Sequence, residues 1–277
     1  MSGAIAPRRI WLCADDYGIA PGVNAAICDL MARGRINAAS VMVVAPAFHS
    51  QSAADLIRAT DNGGAIGLHL TLTEPFRPLS GAFRPLADAF LGVGPTLAAA
   101  LLRRFDLEGL RREVRAQLAA FTQAFGRAPD YVDGHQHVQL FPQIRDVVID
   151  AVRAQAPNAW LRQCGSVRPI SLIADPKGLL VDTLSRTFRR RARAANIATN
   201  AAFAGTYAYA ANADFAALFP RFLAGLPDNS LVMCHPGRVD PELRRLDPLT
   251  TLREKEYDYL ASDNFPQVLA RAGITLM

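Results

Sequence analysis

The chain has 277 residues, of which 51% are hydrophobic and 20% charged, and its formal net charge is +5 at pH 7. This length suits one large α/β domain, and the composition is ordinary for a protein with a sizeable core. The one basic cluster consists of Arg186, Arg189, Arg190, Arg191 and Arg193. It lacks the series of interleaved aromatic residues that a nucleic-acid platform requires, so we expect no nucleic-acid partner. A solvated helix face is the favoured interpretation of this cluster, and contact with lipid headgroups is the alternative.

The four cysteines, Cys13, Cys28, Cys164 and Cys234, are widely spaced and form no C-x-x-C pair. This pattern favours reduced thiols over a disulfide framework. The N-terminus lacks an apolar run long enough for a signal peptide, and no stretch is apolar enough to span a membrane. We therefore expect a cytoplasmic protein without a transmembrane segment, and the sequence leaves a homodimer open.

Short apolar strands alternate with amphipathic helices along the chain. The first strand, residues 9–14, precedes a helix over 23–33 that Gly34 ends. Further strands are predicted at 38–44, 65–72, 131–133, 160–163, 202–207, 230–234 and 273–276, and further helices at 110–125 and 141–155. The stretch 74–95 contains Pro and Gly and is expected to be a long loop near the functional site.

This alternation predicts the fold class. Strands that are apolar on both faces and separated by helices indicate an α/β protein with a parallel sheet covered by helices. About seven or eight strands with no linker between them favour a closed or nearly closed barrel in a single domain, residues 1–277, over two domains.

Polar residues follow the ends of four predicted strands. They are Asp15 with Asp16, His69, Asp133 with His135 and His137, and His235. Four of the five histidines therefore fall where a parallel barrel places its catalytic groups. The fifth, His49, is expected at a boundary between a loop and a helix, and we assign it no role.

The adjacent acids Asp15 and Asp16 need an explanation, because neighbouring like charges repel. A bound cation would offset this repulsion if one of the two is a metal ligand, and both can reach one cavity where a strand curls at its end. One Asp and two His are a common set of ligands for a divalent ion that keeps positions open for water and substrate. The second Asp could then accept a proton from water.

Each of these features has a structural alternative when it is considered alone. An Asp pair after a strand is more often a helix cap with a surface acid, and His69 between two leucines is more often a core residue. The sequence CHPG makes a turn, and Cys234 within it is expected to be buried and inert rather than a nucleophile. The whole set, in this order on alternating strands, is hard to explain by structure alone.

Five motifs together resemble one protein family. They are ADDYG (14–18), GLHLTL (67–72), DGHQHVQLFP (133–142), CHPG (234–237) and LREKEYDYL (252–260). With them the chain resembles the ChbG/HpnK (YdjC-like) carbohydrate deacetylases from about Arg9 to its C-terminus. The resemblance implies a distorted TIM-like (β/α) barrel and a metal-dependent hydrolase that removes the acetyl group from an N-acetylated sugar.

The same resemblance implies roles for the residues at the strand ends. Asp15 would be the general base. Asp16, His69 and His135 would hold one divalent metal ion, Mg2+ or Zn2+, and two imidazoles favour zinc.

Further residues are expected around this centre. By the resemblance, His137 would line the site, and His235 would give a proton to the leaving amine or stabilise the oxyanion. Asp133 is expected to orient a ligand or to pair with Arg162. Relatives often carry another His where this chain has Gln139, which leaves the substrate contacts open.

Two other functions are weighed. The first is a different single-metal barrel hydrolase, such as a phosphoesterase or an amidohydrolase. A phosphate substrate would require a second metal or several basic groups. We expect only two basic residues, Arg162 and Arg238, close to the site. A catalytically silent sugar-binding relative is the second, and it would need neither Asp15 nor His235. The substrate is thus expected to be an N-acetylated saccharide, either an oligosaccharide or a glycolipid head group.

Overall fold

The computed structural model describes residues 6–61, 63–85, 88–167 and 175–277. Within them, eight strands form one sheet, and all of their pairings are parallel. The strands are β1 (Arg8–Tyr17), β2 (Ala38–Val41), β3 (Ala65–Leu70), β4 (Tyr131–Gly134), β5 (Trp160–Leu161), β6 (Phe203–Ala204), β7 (Ser230–Cys234) and β8 (Ile274–Leu276). Each overlaps a predicted strand, so the predicted α/β class is confirmed.

The sheet curls into an incompletely closed barrel. Its strands lie in the order β5-β4-β3-β2-β1-β7-β6, and β8 pairs with the first residues of β1. A single bridge between Leu161 and Thr199 joins β5 to the segment that leads into β6. This agrees with the distorted TIM-like barrel that the resemblance implied. Because the strands are parallel, their carboxyl ends meet at one end of the barrel.

Ten helices surround the sheet in the part of the chain that is described. They are α1 (Pro21–Ala32), α2 (Ser50–Ala59), α3 (Val93–Leu101), α4 (Leu107–Phe125), α5 (Ile144–Gln155), α6 (Pro176–Ala194), α7 (Phe215–Leu223), α8 (Pro241–Leu246), α9 (Thr251–Ala261) and α10 (Asn264–Arg271). The helix α4 begins three residues before its predicted start, because the Asp106 side chain accepts hydrogen bonds from the first backbone N–H groups. His49 caps α2, at the predicted boundary between loop and helix.

Two predicted segments differ from the structure. The segment His135–Leu140 forms a 3-10 helix, so α5 begins at Ile144 rather than at residue 141. The predicted loop 74–95 ends early, because α3 begins at Val93; residues 86 and 87 of this stretch lie outside the described residues.

The core fills the space inside the sheet and between the sheet and the helices. Every residue of β2, β3, β4 and β7 is buried, as expected for parallel strands covered on both faces. The basic cluster lies on α6, where Phe188 faces the core. None of the helices that the structure describes is both long enough and apolar enough to cross a lipid bilayer.

Candidate active site

A cavity of about 420 Å3 opens at the carboxyl ends of β1, β3, β4 and β7. It is lined by Asp15, Asp16, His69, His135, Gln136, His137, Tyr209, Ala211, Met233, His235 and residues 247–253. Six of the predicted site residues therefore face one cavity. The other two, Asp133 and Arg162, are fully buried behind this lining.

The end of β1 is irregular, and this turns both acids towards the cavity. The pairing of β1 with β2 shifts register between Ala14 and Tyr17, and Asp16 has a positive φ of 71°. A bulge of this kind re-aims side chains that would otherwise alternate between the two faces of a strand. Asp15 and Asp16 consequently line the same cavity, as expected for a strand that curls at its end.

Asp15 is held by a buried guanidinium group. Arg162 donates to its two carboxylate oxygens at 2.6 and 2.8 Å. Burial alone would raise the pKa of Asp15, but the charge of Arg162, followed by that of His69, outweighs burial and lowers the pKa. The carboxylate is therefore ionised at neutral pH.

Asp16 has a different set of partners. Arg253 donates to its Oδ2 at 2.6 Å, while its Oδ1 lies 3.0 Å from His135 Nδ1 and 3.3 Å from His69 Nε2. Burial alone would raise the pKa of this carboxyl too, but Arg253, followed by His135, holds it well below its usual range.

Arg253 corrects one expectation from the sequence. It is fully buried on α9 and lines the cavity, so Arg162 and Arg238 are not the only basic residues close to the site. Arg238 instead pairs with Asp258 at 2.9 Å and covers the ring of Tyr257. The signal in the sequence was the motif LREKEYDYL, whose charged residues at 253 and 256 share one face of a helix.

Asp16, His69 and His135 could hold a metal ion. Each offers one ligand atom, and these atoms all lie within 4.8 Å of one another. The set combines one carboxylate oxygen and two imidazole nitrogens, which suits a divalent ion that keeps open positions. The predicted set of three ligands thus converges at one point and fits the group that the resemblance implied.

Asp133 supports His69 from behind. Its Oδ1 lies 2.6 Å from His69 Nδ1, which leaves Nε2 directed towards Asp16. Its Oδ2 accepts from Ser40 Oγ at 2.6 Å and lies 3.0 Å from Arg162 Nη1. Burial would lower the pKa of His69, but Asp133 and then Asp15 raise it to about 10. Asp133 therefore contacts both His69 and Arg162.

A second group of potential ligands, Cys13, Asp15 and Asp133, is already occupied by a protein cation. The Nη1 atom of Arg162 lies 2.6 Å from Asp15 and 3.0 Å from Asp133, with the Cys13 sulfur 3.9 Å away. A second metal ion would have to displace this guanidinium. The described residues therefore provide ligands for one ion.

The 3-10 segment after β4 presents His135 and His137 to the cavity. Gln136 and His137 both adopt left-handed backbone angles, with φ of 53° and 61°. The ring of His137 meets the edge of Phe203 at 5.6 Å, and its Nδ1 lies 3.5 Å from Cys164 Sγ. Burial, followed by the charge of Arg162, lowers the pKa of His137 to about 3, so this ring is neutral.

His235 lies just after β7 and is positioned by α9. Its backbone N–H donates to the buried Glu256 at 2.5 Å, and Tyr207 donates to the other oxygen of Glu256 at 2.6 Å. The ring of Tyr209 packs edge-on against His235 at 5.8 Å. Burial raises the pKa of Glu256. Glu256 and the two tyrosines were not among the site residues predicted from the sequence.

Three further predictions concern residues around the cavity, namely Cys234, Gln139 and the stretch 74–95. Cys234 is buried, and burial raises the pKa of its thiol, which agrees with an inert residue. Gln139 does not line the cavity, because its amide group donates to the Arg162 carbonyl at 3.1 Å. The described residues of 74–95 do not line the cavity either, although Phe76 packs edge-on against His135. Residues 247–253 line the cavity, and this was not predicted.

The sequence model for YdjC-like protein matches residues 9–271, nearly the whole chain. The chain belongs to the YdjC-like family. It is 34% identical over 155 residues to a carbohydrate deacetylase of Homo sapiens, an alignment that covers 53% of this chain and 46% of that protein. It is 29% identical over 282 residues to a carbohydrate deacetylase of Geobacillus stearothermophilus, covering 98% and 96% of the two chains.

This YdjC-like chain spans about half the length of the first curated relatives that it matches. Among solved structures, it is similar to a candidate cellobiose-phosphate cleavage protein of Enterococcus faecalis. The TM-score is 0.76 at 20% identity, with 98% of this chain and 97% of the other covered. This similarity confirms the fold.

Proposed function

We propose that this YdjC-like protein is a metal-dependent carbohydrate N-deacetylase. The observation that carries the proposal is the separation of the two adjacent acids. Asp16 Oδ1 lies 3.3 Å from His69 Nε2 and 3.0 Å from His135 Nδ1. Arg162 instead binds both oxygens of Asp15, whose Oδ2 lies farther from His69 Nε2, at 4.0 Å. One acid is thus suited to hold a divalent ion and the other to move a proton. The names of the similar curated proteins support a carbohydrate deacetylase.

The reaction requires a nucleophile and a stabilised oxyanion. A divalent ion held by Asp16, His69 and His135 would lower the pKa of a water molecule and polarise the acetyl carbonyl. Asp15 would accept a proton from the attacking water, because its lowered pKa keeps the carboxylate ionised at neutral pH. Arg162 orients this carboxylate with two hydrogen bonds, and Asp133 fixes the ring of His69.

Departure of the amine requires a proton. His235 faces the same cavity as Asp15, and we assign it the donation of this proton to the leaving nitrogen. Its position is fixed by the backbone hydrogen bond to Glu256. Stabilisation of the oxyanion is the alternative role, and it would not depend on whether the leaving group needs a proton.

The substrate is an N-acetylated saccharide, either an oligosaccharide or a glycolipid head group. The ligand set favours zinc over magnesium because two of its three members are imidazoles. We further propose one barrel domain, because the family match extends over residues 9–271. All four cysteines are free thiols, which supports the expected cytoplasmic location.

The test combines metal analysis with acetate release from a panel of N-acetylated oligosaccharides and glycolipid head groups. Wild-type protein is expected to bind one divalent ion and to release acetate. Asp15→Asn should keep the ion but lose activity by about 10²–10⁴-fold, because it removes the base and not a ligand. Asp16→Asn is the matched variant and should lose both. Equal loss of metal in the two variants would contradict the division of roles between them.

A further inference from the structure

The outer face of α3 (Val93–Leu101) is apolar and exposed. The helix contains no charged residue, and its one polar residue, Thr96, is buried. Leu101 and the following Leu102 are 53% and 60% exposed, more than any other large hydrophobic side chain in the described part of the chain. Val93, at the start of the helix, is 40% exposed. Solvation of these side chains is unfavourable, so the adjacent exposed leucines at the end of α3 indicate a contact site.

Positive charge follows this apolar face directly. Arg103 and Arg104 are exposed, and neither forms an ion pair with a described residue. Burial lowers the pKa of Arg145. The charge of Asp146 opposes this effect, but the nearby guanidinium groups of Arg191 and Arg103 lower the pKa further. Two acids near this end of α3 are already engaged, since Asp106 caps α4 and Asp146 lies 3.2 Å from Arg191. The exposed Glu74 lies beside Gly92, at the opposite end of α3 from the arginines.

This surface lies at the same end of the barrel as the candidate active site. The helix α3 contacts the 3-10 segment that carries His135 and His137. The Gln143 side chain, just before α5, accepts from the Phe105 N–H at 3.1 Å and donates to the Phe105 carbonyl at 3.3 Å. These bonds fix the end of the α3 region beside the segment that lines the cavity.

We propose that the protein docks on an anionic phospholipid bilayer through one surface, the α3 patch. This patch consists of Val93, Leu101, Leu102, Arg103 and Arg104. Leucines insert into the boundary between headgroups and acyl chains, and the adjacent arginines bind the phosphates of anionic lipids. A symmetric dimer through the same patch is disfavoured, because it would bring the unpaired arginines of two copies together. Binding to a nucleic acid would not bury the leucines in an apolar environment, so this partner is disfavoured as well.

Docking through the α3 patch would hold the mouth of the barrel close to the lipid headgroups. The inference does not depend on the proposed deacetylation, because it rests on the exposed surface and not on the cavity. Binding to lipid and release of acetate from a water-soluble oligosaccharide can therefore fail separately.

The test is flotation of the full chain with lipid vesicles. Vesicles of phosphatidylcholine with about 30% phosphatidylglycerol should carry the protein, and pure phosphatidylcholine should carry much less. Leu101→Ser/Leu102→Ser and Arg103→Gln/Arg104→Gln should each weaken binding by about tenfold, and added salt should weaken the wild type.

Matched variants remove similar side chains elsewhere. Ile57→Ser replaces another exposed apolar residue, and Arg221→Gln/Arg271→Gln replaces two exposed arginines that form no ion pair in the described structure. Both should bind vesicles like the wild type, and the thermal midpoint of every variant checks that it is folded. The proposal is overturned if neither vesicle binds the protein, or if the control and patch variants behave alike. It is also overturned if sedimentation shows a dimer that Leu101→Ser/Leu102→Ser dissociates.

Discussion

At the end of β1 each of two adjacent carboxylates has its own guanidinium partner. Arg162 binds Asp15, and Arg253 binds Asp16. The sequence had suggested that a metal ion offsets the repulsion between the two acids. The structure shows that protein cations already do so, because fully buried carboxylates require such partners in any case. The two acids can therefore have different roles although they are neighbours.

The role of His235 can be tested by changing the leaving group. If His235 donates a proton to the amine, His235→Ala should slow hydrolysis of an N-acetyl sugar by about 10²–10⁴-fold with little change in sugar affinity, since the proton is needed only as the C–N bond breaks. An activated acetyl ester, whose leaving group needs no proton, should be much less affected. Turnover of both substrates by wild type and variant measures this. An equal slowing of the two would leave oxyanion stabilisation or structure as the role of His235.

The carboxylate behind His69 should control metal affinity. Asp133→Asn weakens the partner that orients His69 Nδ1, so the affinity for a divalent ion should fall by about 10–100-fold. Competition with a chelating dye measures this affinity. Asp258→Asn is the control, because it removes an exposed carboxylate that pairs with Arg238. If Asp133→Asn binds metal as tightly as the control does, the support assigned to Asp133 is wrong.

The strands β3 and β4 act as one element in the support of the site. His69 is opposite Asp133 in their register, so strand pairing itself brings the imidazole and the carboxylate together. Two residues earlier in β3, Gly67 lies against the ring of Tyr131 in β4, whose hydroxyl group lies 2.9 Å from Ser40 Oγ. This glycine is required because the ring occupies the space of a side chain.

Substitution of Gly67 should therefore disturb the pairing of β3 with β4 and not only one contact. A Cβ atom at Gly67 would lie 2.3 Å from the Tyr131 ring, so Gly67→Ala should lower the free energy of unfolding by about 1–3 kcal/mol. Gly94→Ala is the matched control, because no atom lies within 4 Å of its added Cβ. It should leave the free energy unchanged or raise it by about 0.5 kcal/mol. Urea unfolding checks both; equal stability of the two variants would show that Tyr131 moves freely.

At the scale of the whole molecule, α9 closes the site by returning to β1. Arg253 reaches Asp16 across 237 positions of the chain, and Glu256 binds the backbone of His235. The cavity thus exists only when the first and the last parts of the barrel are both folded. Formation of the cavity is coupled in this way to the folding of segments that are distant in sequence.

Burial of thiols across the molecule should make the fold sensitive to alkali. Burial raises the pKa of Cys13, Cys164 and Cys234 above the ordinary value of 9.0, so these thiols stay protonated in the folded state. Above that pH the unfolded chain loses protons first, and the free energy of unfolding falls. Each thiol that remains protonated should contribute about 1.4 kcal/mol per pH unit to this fall.

Urea unfolding between about pH 8 and pH 10 measures this dependence. Cys164→Ala removes one of the thiols, so its stability should fall less steeply with pH than that of the wild type. Identical slopes for the two proteins would contradict the proposed cause.

The sequence by itself determined the fold class and most of the candidate site. Alternation of apolar strands with periodic helices requires a parallel sheet covered by helices, and parallel strands bring their carboxyl ends together. Asp15, Asp16, His69, His135 and His235 could be grouped for this reason. The choice of Asp16, His69 and His135 as metal ligands came instead from the resemblance to the family. Local signals of this kind depend on near neighbours in the chain, so they are visible in one sequence.

Only the tertiary structure decided which charges surround these residues. Arg253 and Glu256 lie on α9, more than 200 positions from β1, and nothing in their local pattern shows which strand they approach. The stretch 74–95 does approach the site, since Phe76 packs against His135, but residues 247–253 line the cavity and were not predicted to do so. The packing of helices against the sheet fixes these contacts. Many alternative placements of a helix would bury a similar apolar area, and they differ only in the long-range partners that they bring together.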